Sequence, residues 1–487
     1  MSKTPSILDS YPDYETTIGI EVHVQLLTKS KIFCSCLNTI TDQPNSNICQ
    51  ICSGYPGSLP VLNKDVINKA ILAGLATNCS ISHLSYFDRK HYFYPDLPKG
   101  FQITQGDDPI CTDGFVPIRL EDGTIKKIRL MRIHIEEDAG KNIHSSSTNE
   151  SFVDLNRAGT PLLEIVTEPD ISSTYEVKAY LKALHNIITY LKISTANMEQ
   201  GAFRADTNIS VRKKGATKLG TRCELKNINS FKYISDATEY EIQRQIELIE
   251  SGGKVTQQTR LWDTVKKQSL PMRSKEEAAD YRYFQEPDLP LIEVGTELIE
   301  RIATTMPELP YDKYERLMRQ YNLSEYESNI LIDNPAAAQY FETAYDKFHS
   351  KQVINWVLRD VLGFLKEHKQ SLSEFKVTPE KLSQLVQLVE TGKINSKAAK
   401  EVFEEIATND GEPETIVKDK GLEQIGSADE LEAIVAKIVA DNPAQVEQFK
   451  AGKDRILGFF VGMAMKETKG KGNPKMLQEL VKKHLSK

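Results

Sequence analysis

The sequence predicts an α+β protein, with a mixed or antiparallel sheet in the first 296 residues and helices in the rest. Three observations carry this expectation. "TIGIEVHVQ" alternates strictly: Ile18, Ile20, Val22 and Val24 share one face, and Gly19, Glu21, His23 and Gln25 share the other, the period of a half-buried strand. "FRADTNISVR" places Arg204, Asp206, Asn208, Ser210 and Arg212 together, and "RCELKN" places Arg222, Glu224 and Lys226 together. From about Glu297 onward helical spacing dominates and no convincing strand occurs.

The elements follow in order. If "MRIHIEEDAGK" is a strand, Met131, Ile133, Ile135 and Glu137 share one side, and Arg132, His134, Glu136 and Asp138 share the other. Glu137 then ends an apolar stripe, where a carboxylate is costly unless a cation or several donors meet it. A helix is expected after Ser173, which has capping-box spacing to Glu176. Val177, Tyr180, Leu181, Leu184, Ile187, Ile188 and Leu191 form its apolar stripe. A second helix spans about Phe231 to Glu250, with Ile242, Ile246 and Ile249 along its face, and Gly252-Gly253 ends it. "ATNDGEP" (407–413) reads as a linker. The last helix starts at "GNPKMLQELVKKHL", with Asn473 as cap and Pro474 as first residue.

With 487 residues the chain has room for about three domains. A content of 40% hydrophobic and 26% charged residues is ordinary for a globular protein. The N-terminal stretch is polar, so no signal peptide is expected. No run of about 18 apolar residues exists, so no membrane span is expected. Seven cysteines, four of them clustered, suit a reducing cytoplasm and a metal better than a disulfide framework.

Those four, Cys34, Cys36, Cys49 and Cys52, give C-x-C, twelve residues, then C-x-x-C. Two close pairs on hairpin-like turns can surround one ion tetrahedrally at about 2.3 Å Zn–S, so a closed structural Zn²⁺ site is expected. Cys79, Cys111 and Cys223 are isolated and expected to pack.

The second signal is distributed over three strands. Glu21/His23, Arg204/Asp206/Asn208 and Arg222/Glu224/Lys226 mix acids, a histidine and an amide, unlike the filler of a purely solvated face. Carboxylates converging from several strands are how a protein holds Mg²⁺, and the imidazole keeps Mn²⁺ as the alternative. Arg204, Lys226 and Lys141 are placed to neutralise phosphate. No G-x-x-x-x-G-K-[ST], no G-x-G-x-x-G after a strand, no G-x-S-x-G elbow and no Ser/Gly-rich amidase stretch occurs.

"IGIEVHVQL", "FDRKHYFYPDLPKGFQITQ", "HIEEDAGK", "VDLNRAGTPLLEIVTEPD", "MEQGAFRADTNISVR" and "ELKNINSFKYI" closely resemble the B subunit of the aspartyl/glutamyl-tRNA(Asn/Gln) amidotransferases, the GatB family. The resemblance runs from about Thr17 to the C-terminus and is densest up to about residue 290. It departs in "MEQGAFRADTN", where the family usually has Glu at Gln200 and Cys at Ala205.

The resemblance implies a cradle domain (1–296) carrying a zinc-binding insert at 34–52, a helical domain (297–412) and a YqeY-like tail domain (413–487). It implies a heterotrimer with an amidase (A) subunit and a small (C) subunit. It implies ATP-dependent phosphorylation of the side-chain carboxylate of misacylated Glu- or Asp-tRNA, then displacement of phosphate by ammonia that the amidase releases from glutamine. The family's metal ligands fall on Glu21, His23, Glu137, Asp206 and Glu224, so a divalent cation is expected to meet Glu137, with Glu136 a structural neighbour. Glu137, Asp206, Glu224 and His23 are the expected catalytic set, and Lys90, Arg204, Asn208 and Lys226 the expected contacts for ATP or substrate. A zinc-containing tRNA-binding scaffold without catalysis is the alternative reading, and a metal hydrolase the third.

The whole chain carries a net charge of −7, yet residues 451–487 hold nine Lys/Arg and three Asp/Glu. A solvated helix face and a phosphate-contacting tail both fit that patch. On the second reading Lys466, Lys469, Lys471, Lys475, Lys482 and Lys483 contact tRNA.

Overall fold

The computed structural model describes residues 7–144, 150–272, 280–424, 428–450, 453, 455–468 and 470–486. The chain divides into two compact units, Met1–Lys313 and Tyr314–Lys487.

The first unit is built on a twelve-stranded sheet. Its path runs Gln268–Pro271, Gln258–Asp263, Cys223–Ile228, Phe203–Lys213, Tyr14–Gln25, Pro161–Thr167, Ile125–Glu137, Phe101–Thr104, Asp88–His91 and Phe284–Gln285. Cys111–Arg119 branches from Ile125–Glu137 and carries Ser80–Ile81. The Cys223–Ile228 and Gln258–Asp263 strands pair in parallel and the other pairs along the path are antiparallel, so the sheet is mixed, as the sequence predicts. Tyr14–Gln25 alternates buried and half-buried residues over its whole length. Ile18, Ile20, Val22 and Val24 enter the core. Helices Lys64–Ala76, Thr174–Tyr190 and Phe231–Glu250 cover that apolar face, and the opposite face keeps its charged rows.

Two local departures from the expected pattern have clear causes. The register of Ile125–Glu137 against Pro161–Thr167 shifts between Val166 and Thr167, so the alternation changes phase. Leu130 and Ile133 are both buried, and Met131 is 45% exposed instead of sharing the apolar stripe. At the helix after Ser173, the Ser173 hydroxyl accepts from the Glu176 N–H at 3.2 Å, as expected of an N-cap. The Glu176 carboxylate does not close a capping box on Ser173. It accepts from the Ser172 backbone N–H and hydroxyl, both at 2.9 Å, and pairs with Lys126 at 2.8 Å.

The helix Phe231–Glu250 is fixed to the sheet by charge as well as by its isoleucines. Glu241, fully buried, accepts from Arg244 Nε at 2.9 Å and Gln245 Nε2 at 2.8 Å, and Arg260 Nε lies 3.4 Å away. Burial pushes its carboxyl up, but Arg244, Gln245 and Arg260 outweigh that and hold it below the usual range. Glu241→Gln leaves guanidinium charge without its counter-ion and should cost about 3 kcal/mol in chemical denaturation. The depressed carboxyl also fixes a sign: its stabilisation is full above the ordinary glutamate range and is lost as pH falls through the lowered value.

Among the described residues of the second unit only helical elements occur. Pro413, Ile416 and Val417 of the helix Pro413–Asp419 are buried, and this helix packs on Pro379–Glu390 and Ser396–Asn409. A separate apolar core joins Leu431, Val435, Phe460, Ala464, Leu477, Val481 and Leu485. Asn473 caps the last helix, accepting from the Lys475 and Met476 N–H groups, with Pro474 as first residue. No described helix is long and apolar enough to cross a membrane.

Candidate functional site

Strand order, rather than any one strand, assembles the site. His23 lies opposite Glu164 on one side and Arg204 on the other, and Glu164 lies opposite His134. Because side chains repeat every two residues, His23, Glu164, His134 and Glu136 meet on the face away from the three helices. His23 Nε2 is 3.3 Å from Glu164 Oε2 and 3.5 Å from Glu136 Oε1. His134 Nε2 is 3.2 Å from Glu164 Oε2 and 3.7 Å from Glu136 Oε2. One ligand atom from each of His23, Glu136 and Glu164 lies within 4.8 Å of the others. Two carboxylates and an imidazole so placed form a donor set suited to Mg²⁺ or Mn²⁺.

The electrostatics follow from crowding. Burial disfavours charge on His134, but the Glu164 charge and hydrogen bonds to Glu136 and Glu164 outweigh it and push the imidazole up to about 9. Burial opposes the Glu164 charge as well, and His134 and His23 still hold that carboxyl well below its ordinary value. Burial and the Glu164 charge raise Glu21.

A cleft of about 530 Å³ opens over this cluster, and Lys90, Lys141, Arg204, Asp206 and Lys226 line it. Lys90 Nζ sits 4.9 Å from the Tyr281 ring centroid, and burial of its ammonium is outweighed by Glu136 and other anionic neighbours, which raise it. Arg204 donates to Asp138 Oδ2 at 2.9 Å. Lys226 is gripped by Asp206 at 3.0 Å and Glu224 at 2.8 Å, and Asn208 Nδ2 donates to Glu21 Oε1 at 3.1 Å.

The expected five-ligand set is therefore not one set. His23 stands with Glu136 and Glu164. Glu21, Asp206 and Glu224 lie beside it around Asn208 and Lys226, where an ammonium occupies the acidic group. Glu137 is on the opposite face, 4% exposed, paired with Lys99 and accepting the Ile103 N–H at 2.9 Å. An ammonium and a backbone donor meet it. The neighbour expected to be structural, Glu136, is the one in the cluster. Glu164 and His134 have no place among the expected site residues, although the alternation of "PLLEIVT" puts Glu164 on the wet face.

Beyond Glu137 lies the cysteine segment. Cys52 Sγ is 3.8 Å from Cys49 Sγ and 4.0 Å from Cys36 Sγ, and the four sulfurs of Cys34, Cys36, Cys49 and Cys52 lie within 4.8 Å of one another. A tetrahedron with about 2.3 Å Zn–S bonds has edges of about 3.8 Å, so the cluster fits a metal site. The Cys49 N–H donates to Cys52 Sγ at 3.1 Å, and Lys31, fully buried, places Nζ 3.8 Å from it. Hydrogen bonding from Cys34, then from Cys49, and the Lys31 charge hold the Cys52 thiol down at about 4 despite burial. Gly54, at φ +70°, lets the chain turn against Lys99, whose Cγ is 2.7 Å from where a β-carbon would stand. Cys79, Cys111 and Cys223 are buried packing residues.

In the second unit Lys466, Lys471, Lys475, Lys482 and Lys483 are exposed, and Lys469 lies outside the described residues. Lys483 Nζ pairs with Glu432 at 2.9 Å.

The model of the GatB/GatE catalytic domain matches residues 16–300, and that of the GatB domain matches residues 339–485. The chain is 49% identical over 475 residues to the B subunit of the aspartyl/glutamyl-tRNA(Asn/Gln) amidotransferase of Thermoanaerobacter pseudethanolicus, covering 97% of this chain and 100% of that protein. It is 48% identical over 476 residues to the protein of the same name from Persephonella marina (96% and 100% covered), and 48% over 474 residues to that from Myxococcus xanthus (97% and 99%). With a catalytic-domain match over most of the sheet-bearing unit and near-half identity over almost the whole chain, the chain belongs to the GatB family.

Proposed function

We propose that this chain is the component of a tRNA-dependent amidotransferase that activates the side-chain carboxylate of Glu-tRNA(Gln), Asp-tRNA(Asn) or both. The observation that carries the reading is the convergence of His23, Glu136 and Glu164 in one cleft with Lys90 and Arg204. A carboxylate is a poor electrophile, and a phosphoryl group from ATP gives it a leaving group. That transfer demands positioning and charge stabilisation more than a protein nucleophile.

His23, Glu136 and Glu164 would hold a divalent cation, which supplies charge neutralisation on the transferring phosphoryl group. Lys90 projects into the cleft as a cation for the phosphates, and Glu164 keeps His134 and His23 oriented by accepting from both. Lys226, held by Asp206 and Glu224, is pre-placed for the substrate, with Glu21 and Asn208 at its side. The cleft walls keep water from the acyl phosphate until ammonia arrives. The chain has no amidase signature, so ammonia comes from a separate amidase (A) subunit, with a small (C) subunit completing a cytoplasmic heterotrimer. The four cysteines hold one structural zinc. Amidation of each misacylated tRNA by the reconstituted complex tests this reading. Glutamine- and ATP-dependent formation of Gln-tRNA(Gln) or Asn-tRNA(Asn) supports it, and a complex that binds tRNA without turning over ATP leaves the scaffold reading.

The exposed lysines of the tail supply affinity for the tRNA body, because phosphate contacts carry little sequence information. A cut after Gln424, rather than near Gly411, spares the buried Pro413, Ile416 and Val417. The truncated complex should show a raised KM for aminoacyl-tRNA. Its slope of log K against log salt should flatten by about 0.9 per lost phosphate contact. Binding with unchanged affinity and slope would make these lysines a solvated helix face.

A further inference from the structure

Lys31, beside the four cysteines, is completely buried. The backbone around it is fixed: the Lys31 N–H donates to the Cys36 carbonyl and the Ile32 N–H to the Gly159 carbonyl, both at 2.9 Å. The stem packs along Cys52. A β-carbon built on Gly159 would stand 3.6 Å from Lys31 Cδ and 3.5 Å from Cys52 Cβ, so both side chains lie under that glycine. Nζ donates to the Asn47 carbonyl at 3.0 Å and lies 3.8 Å from Cys52 Sγ. Among the described residues no carboxylate pairs with it. An ammonium has three donors and a compact, strongly hydrated charge. Burying it against one carbonyl and neutral thiols is costly, because a carbonyl dipole does not replace a counter-ion.

The cysteines can supply the missing charge. Four thiolates around a dication leave a net dianion, and a buried dianion needs compensation of its own. The Cys49 N–H, 3.1 Å from Cys52 Sγ, meets part of that need. We infer that Lys31 is the counter-charge of the four-sulfur metal centre: its ammonium sits against Cys52 Sγ, and the anionic cluster holds that ammonium in the interior. This rests on the zinc reading above. It adds that the affinity for the metal depends on a side chain that is not a ligand. Lys31 is a positioning residue, aimed by the Asn47 carbonyl. Asn47 is held in turn, donating its N–H to Asn156 Oδ1 at 2.8 Å and its Nδ2 to the Leu37 carbonyl at 2.6 Å.

The full-length chain is purified reduced, as wild type and as Lys31→Met, which keeps most of the stem and removes the charge. Zinc affinity is measured by competition with a chromogenic chelator. The thiolate-to-cobalt charge-transfer band is recorded after Co²⁺ substitution. Loss of an outer-shell partner should weaken zinc binding about 10–100-fold. The band should move to lower energy, because sulfur without a neighbouring positive charge gives up electron density more readily. In the wild type, acetic anhydride should spare Lys31 while zinc is bound and acetylate it once the zinc is stripped, a readout that needs no variant to fold. Zinc affinity within twofold of wild type with an unmoved cobalt band in Lys31→Met overturns the inference, whatever the melting temperature does, and makes Lys31 a clamp on the Asn47 carbonyl alone. Acetylation of Lys31 with zinc bound, or protection that persists without zinc, also overturns it. If the reduced wild-type chain binds neither zinc nor cobalt, the zinc reading itself fails, which is a separate result.

Discussion

Glu136→Gln should slow ATP-dependent phosphorylation of the aminoacyl-tRNA by about 10²–10³-fold, the usual consequence of removing one preorganised electrostatic group. The amide keeps the shape of the side chain and loses the charge that, with His23 and Glu164, makes the proposed cation site. Glu164→Gln should be as severe, because Glu164 also accepts from His134, which is almost fully buried. Glutamine hydrolysis by the partner amidase should remain measurable in both. Glu137→Gln is the matched control. Its carboxylate faces the other side of the sheet, so it should retain most of the phosphorylation rate and lose about 2 kcal/mol of stability, because Lys99 loses its charged partner. Side-by-side rates and denaturation curves for the three variants decide the matter. A dead Glu137→Gln beside an active Glu136→Gln would reverse the assignment.

Cys52→Ser should have the second-largest effect, on stability and not on chemistry. Cys52 is the buried member of its cluster, and its sulfur accepts the Cys49 N–H at 3.1 Å with Lys31 Nζ 3.8 Å away. On the zinc reading, metal binding there is coupled to local folding, so losing one ligand should cost at least about 3 kcal/mol and release the ion. Purified wild-type protein kept reduced should carry close to one zinc per chain, and the variant far less. Wild-type protein with no zinc would remove the site. A variant that loses zinc while keeping its melting temperature would make the metal incidental.

The sheet and two of the three helices packed on it are legible because their signals are local. A period of two in Tyr14–Gln25, and a 3.6-residue stripe before Tyr190 and before Glu250, need no knowledge of neighbours. The cysteine cluster is legible for the same reason, since its four ligands lie within nineteen residues. The candidate cation site is only half legible. His23 stands out on its strand, but its partners are chosen by strand order, and nothing local says that Pro161–Thr167 lies between Tyr14–Gln25 and Ile125–Glu137. Sequence reasoning therefore misses Glu164.

The Glu136/Glu137 choice fails differently. The alternation correctly puts the two on opposite faces. The expectation that a cation or several donors must meet the carboxylate at the end of the apolar stripe is also sound, and what meets it is the Lys99 ammonium with the Ile103 N–H. Lys99 comes from a loop whose position only the fold reveals. Met131 and Glu176 are misread through single-residue events, a bulge and a one-position shift in a cap, which alternation rules cannot register.

The central claim is that the wet face of this sheet phosphorylates a carboxylate carried by tRNA. The most direct measurement is ADP formation by the reconstituted complex with no glutamine or ammonia present, so that activation is uncoupled from amidation. The expected result is ADP release that requires Glu-tRNA(Gln) or Asp-tRNA(Asn), is absent with uncharged tRNA, and falls by about 10²–10³-fold in Glu136→Gln. ADP release that ignores aminoacylation, or that Glu136→Gln leaves unchanged, would contradict it.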